Sequence, residues 1–191
     1  MKSRGDKRAE MNTRYNSVTI ILHWVMASAF LLMFTSGIIM EYIDIDKSMK
    51  YQLFQWHKGG GVLLLLAAVL RLGVRIARHA PPLPDVMPAL EKKLAKLGHW
   101  GLYVLMFIMP ISGWLIVSSS SYGLPTIVFG LFEWPHVPGV AGNEAVHEGA
   151  EAAHFILAII FGLLIAGHIA AVIKHAVIDK ENLLKRMWWS K

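Results

Sequence analysis

The run His154-Phe-Ile-Leu-Ala-Ile-Ile-Phe-Gly-Leu-Leu-Ile-Ala-Gly-His168 decides the fold of this 191-residue chain. No titratable residue lies between its two histidines. An interval of 14 residues corresponds to about 21 Å along an α-helix and to a net rotation of about −40°. The run therefore predicts a helix that spans a bilayer, whose core is roughly 30 Å thick, with both histidines on one side and near opposite faces. Histidines inside a membrane are costly and usually functional.

The rest of the chain has the same apolar character. It is 55% hydrophobic, with a mean hydropathy of +0.47, and the apolar residues come in blocks long enough to cross a membrane. Only helices and closed barrels satisfy their backbone hydrogen bonds in lipid. We therefore predict an all-α integral membrane four-helix bundle, a single domain over residues 15–191, with helices at about 18–40, 54–76, 97–117 and 150–174.

The basic residues are concentrated on one side of this predicted bundle. Sixteen of the 19 lysines and arginines fall in three regions. These are residues 1–14, the end of helix 2 together with the loop that follows it, and the C-terminal end. Only Lys47, Lys50 and Lys58 fall on the other side. This positive-inside bias predicts that both termini are cytoplasmic, with residues 1–14 as a flexible tail. Topology and contact with the lipid bilayer account for the net charge of +6, which therefore does not indicate nucleic-acid binding.

The direction of each helix predicts how deep each histidine lies. Helix 1 runs outward, so His23 lies near the inner face, and helix 2 returns, so His57 lies near the outer face. Helix 4 also runs inward, which places His154 near the outer face and His168 near the inner face. Depth alone pairs His57 with His154 and His23 with His168. Two stacked bis-imidazole sites in one bundle are typical of two low-spin b-type haems.

Histidines in membrane helices also have roles other than binding haem. A single membrane histidine is often a hydrogen-bond partner between helices. A zinc site usually adds carboxylate or thiolate ligands, and neither occurs at these depths. The chain has no cysteine, which excludes disulfides, iron–sulfur clusters and covalent haem attachment.

Further residues lie at the depths of these histidine pairs. Arg71, 14 residues after His57, would point inward where a haem propionate needs a cation, and Lys58 is a weaker candidate for this role. Gly61, with the glycine before it, would let a macrocycle approach the backbone of helix 2. His99 lies at the inner level and would bond a propionate, line a quinone pocket or simply pack. The irregular outer segment, residues 118–149, is long enough to suggest a functional lid.

At this point the chain resembles the prokaryotic cytochrome b561 family, membrane di-haem proteins with four transmembrane helices. The matching pieces cover roughly residues 15–187: Ile21-Leu22-His23-Trp24, His57-Lys58-Gly59, Leu97-Gly98-His99, the two helix-4 histidines, and Asp179-Lys180-Glu181-Asn182. Each motif is short, but their joint order and spacing are specific.

The resemblance implies two non-covalent haem b groups with the four paired histidines as axial ligands. It also implies a multi-pass protein of the bacterial inner membrane that exchanges electrons with ubiquinone. Superoxide oxidation on the outer face belongs to part of the family. The alternatives are a haem-bearing membrane anchor subunit of a larger oxidoreductase and a transporter with histidine proton relays. The electron donor, protein or small molecule, and the oligomeric state stay open.

Overall fold

The structure is a computed structural model that describes residues 14–78 and 80–189. Apart from Arg14, the predicted N-terminal tail lies outside the described residues. The described residues contain four long helices, and each helix has an 18-residue window with a mean hydropathy between 1.9 and 2.7. The all-α membrane bundle predicted from the sequence is confirmed, with helices α1 Ser17–Tyr42, α2 Lys47–Ala77, α3 Ala89–Ser119 and α4 Glu144–Val177.

Three helices begin well before the predicted positions. α2 begins at Lys47 instead of residue 54, α3 at Ala89 instead of residue 97, and α4 at Glu144 instead of residue 150. Asp46 accepts hydrogen bonds from the first amides of α2, and Asn143 accepts one from α4. Such caps satisfy amides that have no partner inside the helix. The polar first turns of α2 and α4 therefore stay helical, whereas α3 begins after Pro88 without a side-chain cap. The apolar runs alone predicted helices that were too short.

The described ends of the chain meet at one end of the bundle. Tyr15 N donates to Arg186 O over 3.1 Å, and Trp24 Nε1 donates to Met187 O over 2.7 Å. Met187 ends a short 3-10 helix, Leu183–Met187. We call this end the terminal end. The opposite end, where α3 leads toward α4, is called the hairpin end.

A two-stranded hairpin covers the hairpin end within the segment that was expected to be irregular. Strand β1 is Thr126–Val128 and strand β2 is Phe132–Trp134, and they pair antiparallel with Thr126 opposite Trp134. Lys58 Nζ on α2 donates to the carbonyl of Pro125, 2.9 Å away. Trp114 Nε1 on α3 donates to Pro135 O at 2.8 Å. The segment is therefore fastened to two helices rather than loose.

An apolar layer fills the middle of the bundle. Phe161 is its centre, with 1% of its surface exposed, and lies seven residues from each helix-4 histidine. Phe30 of α1 packs on it with ring centroids 4.9 Å apart. The buried cluster around these rings comes from all four helices and comprises Met26, Phe30, Leu64, Ala68, Leu105, Met106 and Phe161. The layer therefore separates two levels of polar side chains.

Candidate functional site

The first level lies toward the hairpin end and contains His57 of α2 and His154 of α4. Their ring centroids are 6.3 Å apart and their planes cross at 72°. Both residues are half-buried. We call these two the hairpin-end pair.

A serine contacts each ring of the hairpin-end pair. Ser36 Oγ of α1 lies 2.8 Å from His57 Nδ1, and Ser112 Oγ of α3 lies 2.9 Å from His154 Nδ1. Sequence reasoning missed both serines. A signal was present, because the pattern Met-x-x-Ser-Gly occurs twice, as Met33–Gly37 and as Met109–Gly113.

The glycines of this pattern also face the histidines. A β-carbon at Gly37 would lie 3.7 Å from His57 Cε1, and one at Gly113 would lie 3.1 Å from His154 Cε1. Each glycine also lies 14 residues after a histidine of its own helix, Gly37 after His23 and Gly113 after His99. Thus α1 and α3 each place a serine and a glycine beside an imidazole of a neighbouring helix.

The second level lies toward the terminal end and contains His23 of α1 and His168 of α4, which we call the terminal-end pair. Their ring centroids are also 6.3 Å apart, and their planes cross at 67°. His99 of α3 is close to the same site, with its ring centroid 5.5 Å from that of His168. The structure therefore brings three histidines together at this level.

Arg71 of α2 adds a cation to the terminal-end level. Its Nη2 lies 3.2 Å from His23 Nδ1, and its Cζ lies 5.9 Å from the ring centroid of Tyr103. Its Nη1 is buried and has no hydrogen-bond partner among the described residues. A buried unpaired donor of this charge is costly, so the site is suited to an anionic group such as a haem propionate.

The geometry of both pairs fits a haem iron between the rings. Two imidazoles on one metal ion, with metal–nitrogen bonds of about 2 Å, have ring centroids roughly 6 Å apart. Both observed separations agree with this value. Neutral imidazole is an axial ligand of haem iron, and the unpaired Arg71 nitrogen matches the propionate that a haem carries.

Two of the predicted cofactor-binding residues meet other parts of the protein. Lys58 makes its hydrogen bond to the hairpin segment, as described above. A β-carbon at Gly61 would lie 3.9 Å from Met33 Cε, and one at Gly60 would lie 2.8 Å from Met33 Sδ. These glycines allow α1 to approach α2 closely, and their contact with a macrocycle stays a prediction.

A separate charged cluster ties α3 to α4 at the terminal end. Lys174 Nζ lies 2.6 Å from Glu91 and 2.8 Å from Asp179. His175, whose side chain is 12% exposed, bonds to the same Asp179 over 2.7 Å. The hydrogen bond from the Lys174 ammonium, followed by that from His175, holds the pKa of the Asp179 carboxyl below its ordinary value. Glu91, His175 and Asp179 could offer ligand atoms to a metal ion. Lys174, however, already neutralises the carboxylates of Glu91 and Asp179.

The fold and the paired histidines define the class of this protein, a membrane cytochrome of the b type. The sequence model of prokaryotic cytochrome b561 matches residues 14–190. The chain belongs to the prokaryotic cytochrome b561 family, and it is a multi-pass protein of the bacterial inner membrane.

Three curated relatives support this assignment over nearly their whole length. Cytochrome b561 homolog 2 of Escherichia coli (strain K12) is 35% identical over 175 residues, covering 91% of this chain and 90% of the relative. Probable superoxide oxidase CybB of Yersinia pestis is 25% identical over 177 residues, covering 93% and 97%. Cytochrome b561 homolog 1 of Escherichia coli (strain K12) is 24% identical over 174 residues, covering 91% and 96%.

Proposed function

We propose that the chain carries electrons across the membrane with two b-type haems, one between His57 and His154 and one between His23 and His168. The observation that carries this proposal is the equal 6.3 Å separation of the two pairs. α4 contributes one histidine to each, and the interval of 14 residues spans about 21 Å along the helix. The two sites therefore lie at two depths of one bundle.

The haems supply one-electron redox chemistry when bound. The protein's own residues place them and adjust their potentials through ligands, charges and burial. The four histidines would hold the irons through neutral imidazole. For His23 this would require the Arg71 guanidinium, which can only donate to Nδ1, to turn toward the haem propionate. Arg71 would neutralise a haem propionate at the terminal-end level, and the layer around Phe161 would keep water out of the space between the two levels.

We place the terminal end in the cytoplasm. The positive-inside bias supports this orientation. The described basic residues at this end include Arg71, Arg75 and Arg78 at the end of α2 and Lys174, Lys180, Lys185 and Arg186 near the C-terminus. The hairpin then faces the periplasm. An electron would pass between a periplasmic and a cytoplasmic level of the same chain.

Ubiquinone is the exchange partner that we propose. His99 adjoins the terminal-end pair, and the next residue, Trp100, exposes 66% of its surface. Because α3 is long and apolar enough to span the membrane, its exposed side would be open to a quinone dissolved in the lipid. The family resemblance supports the same partner.

The test uses the purified full chain in lipid nanodiscs. Ubiquinol should reduce haem b in the intact protein, and His99→Gln should slow this reduction severalfold. His136→Gln, near the hairpin, is the matched control and should leave the rate unchanged. A preparation that carries haem but is not reduced by ubiquinol would refute the quinone proposal. A stably copurifying partner protein would instead favour a membrane anchor subunit.

A second candidate function is superoxide oxidation at the periplasmic level. The observation that favours it is the similarity, over nearly the whole of both chains, to a relative named a probable superoxide oxidase. In the same nanodiscs, a flux of superoxide should reduce the haem, and added superoxide dismutase should abolish the reduction. Reduction that persists with the dismutase would contradict this activity.

A further inference from the structure

The Ser36–His57 and Ser112–His154 contacts have the same local construction. Ser36 Oγ donates to the carbonyl of Met33 over 2.9 Å, and Ser112 Oγ donates to the carbonyl of Met109 over 2.7 Å. Each hydroxyl therefore already uses its single proton on a backbone oxygen of its own helix. What remains on each oxygen is an acceptor lone pair, directed at a histidine nitrogen.

This arrangement selects one tautomer of each imidazole. With each serine proton placed on its backbone carbonyl, the serine oxygen accepts and Nδ1 of His57 and of His154 is the N–H donor. A neutral imidazole with its proton on Nδ1 has a free lone pair on Nε2. The two serines therefore hold both histidines of the hairpin-end pair in the form that binds iron through Nε2.

The terminal-end pair is built differently. His23 Nδ1 faces the guanidinium of Arg71 instead of a hydroxyl. Among residues 14–78 and 80–189, no serine or threonine hydroxyl bonds to His23 or His168. The terminal-end pair therefore lacks the serine contact that both histidines of the hairpin-end pair make. A longer contact of the same kind joins Ser119 Oγ to Nδ1 of His147, two turns before His154 on α4.

We propose that Ser36 and Ser112 are positioning residues that fix the orientation and tautomer of His57 and His154 and lower the reduction potential of the hairpin-end haem. This inference rests on the proposed function, because it requires a haem at that level. An acceptor on the Nδ1–H of a ligating histidine makes the ligand more basic. A more basic ligand stabilises ferric iron relative to ferrous iron, which lowers the potential.

At the terminal-end level, Arg71 acts on the reduction potential in the opposite direction. The positive charge of Arg71 favours the state that has gained an electron. The serines lower the reduction potential at the hairpin-end level, and Arg71 raises it at the terminal-end level. Both effects make the terminal-end haem the better electron acceptor. Electron transfer from the hairpin end to the terminal end is downhill in this arrangement.

The experiment compares isosteric variants of the full chain in nanodiscs. Ser36→Val and Ser112→Val remove the hydroxyl, whereas Ser36→Thr and Ser112→Thr have the same volume and keep it. Ser36→Ala and Ser112→Ala serve where valine disturbs folding. Thr35→Ala is the matched control, because its exposed hydroxyl bonds only to Leu31 O on the same helix. Redox titration gives the two potentials, and transfer of haem to apomyoglobin gives its retention.

We expect both hydroxyl-free substitutions to raise the potential of the same haem while the other potential stays constant. Retention of that haem should weaken roughly 10–100-fold. The threonine variants and Thr35→Ala should behave as the wild type. Two haems with unchanged potentials and retention in every serine variant would overturn this inference and leave the proposed function standing. A wild type without two haems would refute both.

Discussion

Gly113 of α3 lies against the imidazole of His154 so closely that a methyl group there would be 3.1 Å from Cε1 and 3.5 Å from Nδ1. The 3.1 Å distance to Cε1 is tighter than most real contacts of a β-carbon, whereas the 3.5 Å distance to Nδ1 is an ordinary contact. Interiors packed to the density of proteins leave a displaced ring little room. The glycine therefore determines where the His154 ring can lie.

Gly113→Ala should weaken the hairpin-end haem site. The added methyl group forces the ring away from its position, and overpacking of this kind costs about 1–3 kcal/mol. Haem retention, measured by transfer to apomyoglobin, should fall by about tenfold. Gly149→Ala, on the helix that carries His154 but with nothing within 4 Å of its β-carbon, is the control and should retain haem normally. Equal retention in the two variants would show that His154 is not constrained by α3.

Arg71→Met should lower the potential of the terminal-end haem. It removes the cation whose Nη1 is buried without a partner, and with it the charge that favours the reduced state. Arg71→Lys should keep part of the effect, because lysine is a point charge without the planar fork. Redox titration is the measurement, with Arg78→Met, an exposed cation near the same end of α2, as the control. A downward shift of equal size in the control would assign the effect to surface charge in general.

Lys58→Met should loosen the hairpin. The Lys58 hydrogen bond to Pro125 O joins the segment to α2, and a hydrogen bond from a charged donor contributes about 1.5–3 kcal/mol. Amides of Thr126–Val128 should therefore exchange with solvent deuterium tenfold faster or more. Lys50→Met, at an exposed position one turn into α2, should leave the exchange rates unchanged. Exchange that is identical in both variants would show that the Trp114 contact is sufficient to hold the segment.

Acid should weaken the charged cluster between α3 and α4. The Lys174 ammonium holds the pKa of the Asp179 carboxyl below its ordinary value of 3.8. A depressed pKa contributes stability that is complete above the ordinary value and is lost as the pH falls through the folded-state value. The melting temperature should therefore drop at acid pH, and Asp179→Asn and Lys174→Met should each make this drop smaller. An unchanged acid profile in both variants would mean that this cluster contributes nothing to stability.

The bundle and its two polar levels followed from the sequence because both depend on simple regularities. Apolar runs longer than a bilayer identify the helices, and the direction of successive spans decides that His57 lies at the depth of His154 and His23 at the depth of His168. The helix starts were misplaced because caps such as Asn143 stabilise polar turns outside the apolar run.

The serines could not be placed because their role depends on helix rotation. That Ser36 faces His57 follows from the packing of α1 on α2, which hydropathy does not define. The hairpin was missed for a similar reason: strands of three residues, such as Thr126–Val128, leave almost no periodic pattern. The repeated Met-x-x-Ser-Gly pattern was visible, but its meaning required the distances from Ser36 and Ser112 to the rings.

The most direct test of the central claim is the haem content of four single variants, His23→Ala, His57→Ala, His154→Ala and His168→Ala. Reduced-minus-oxidised spectra and redox titration on each purified chain count the haems and identify which one remains. We predict two b-type haems per wild-type chain, loss of one and the same haem in the His57 and His154 variants, and loss of the other in the His23 and His168 variants. A single haem in the wild type, or loss of the same haem from the His57 and His168 variants, would contradict the account.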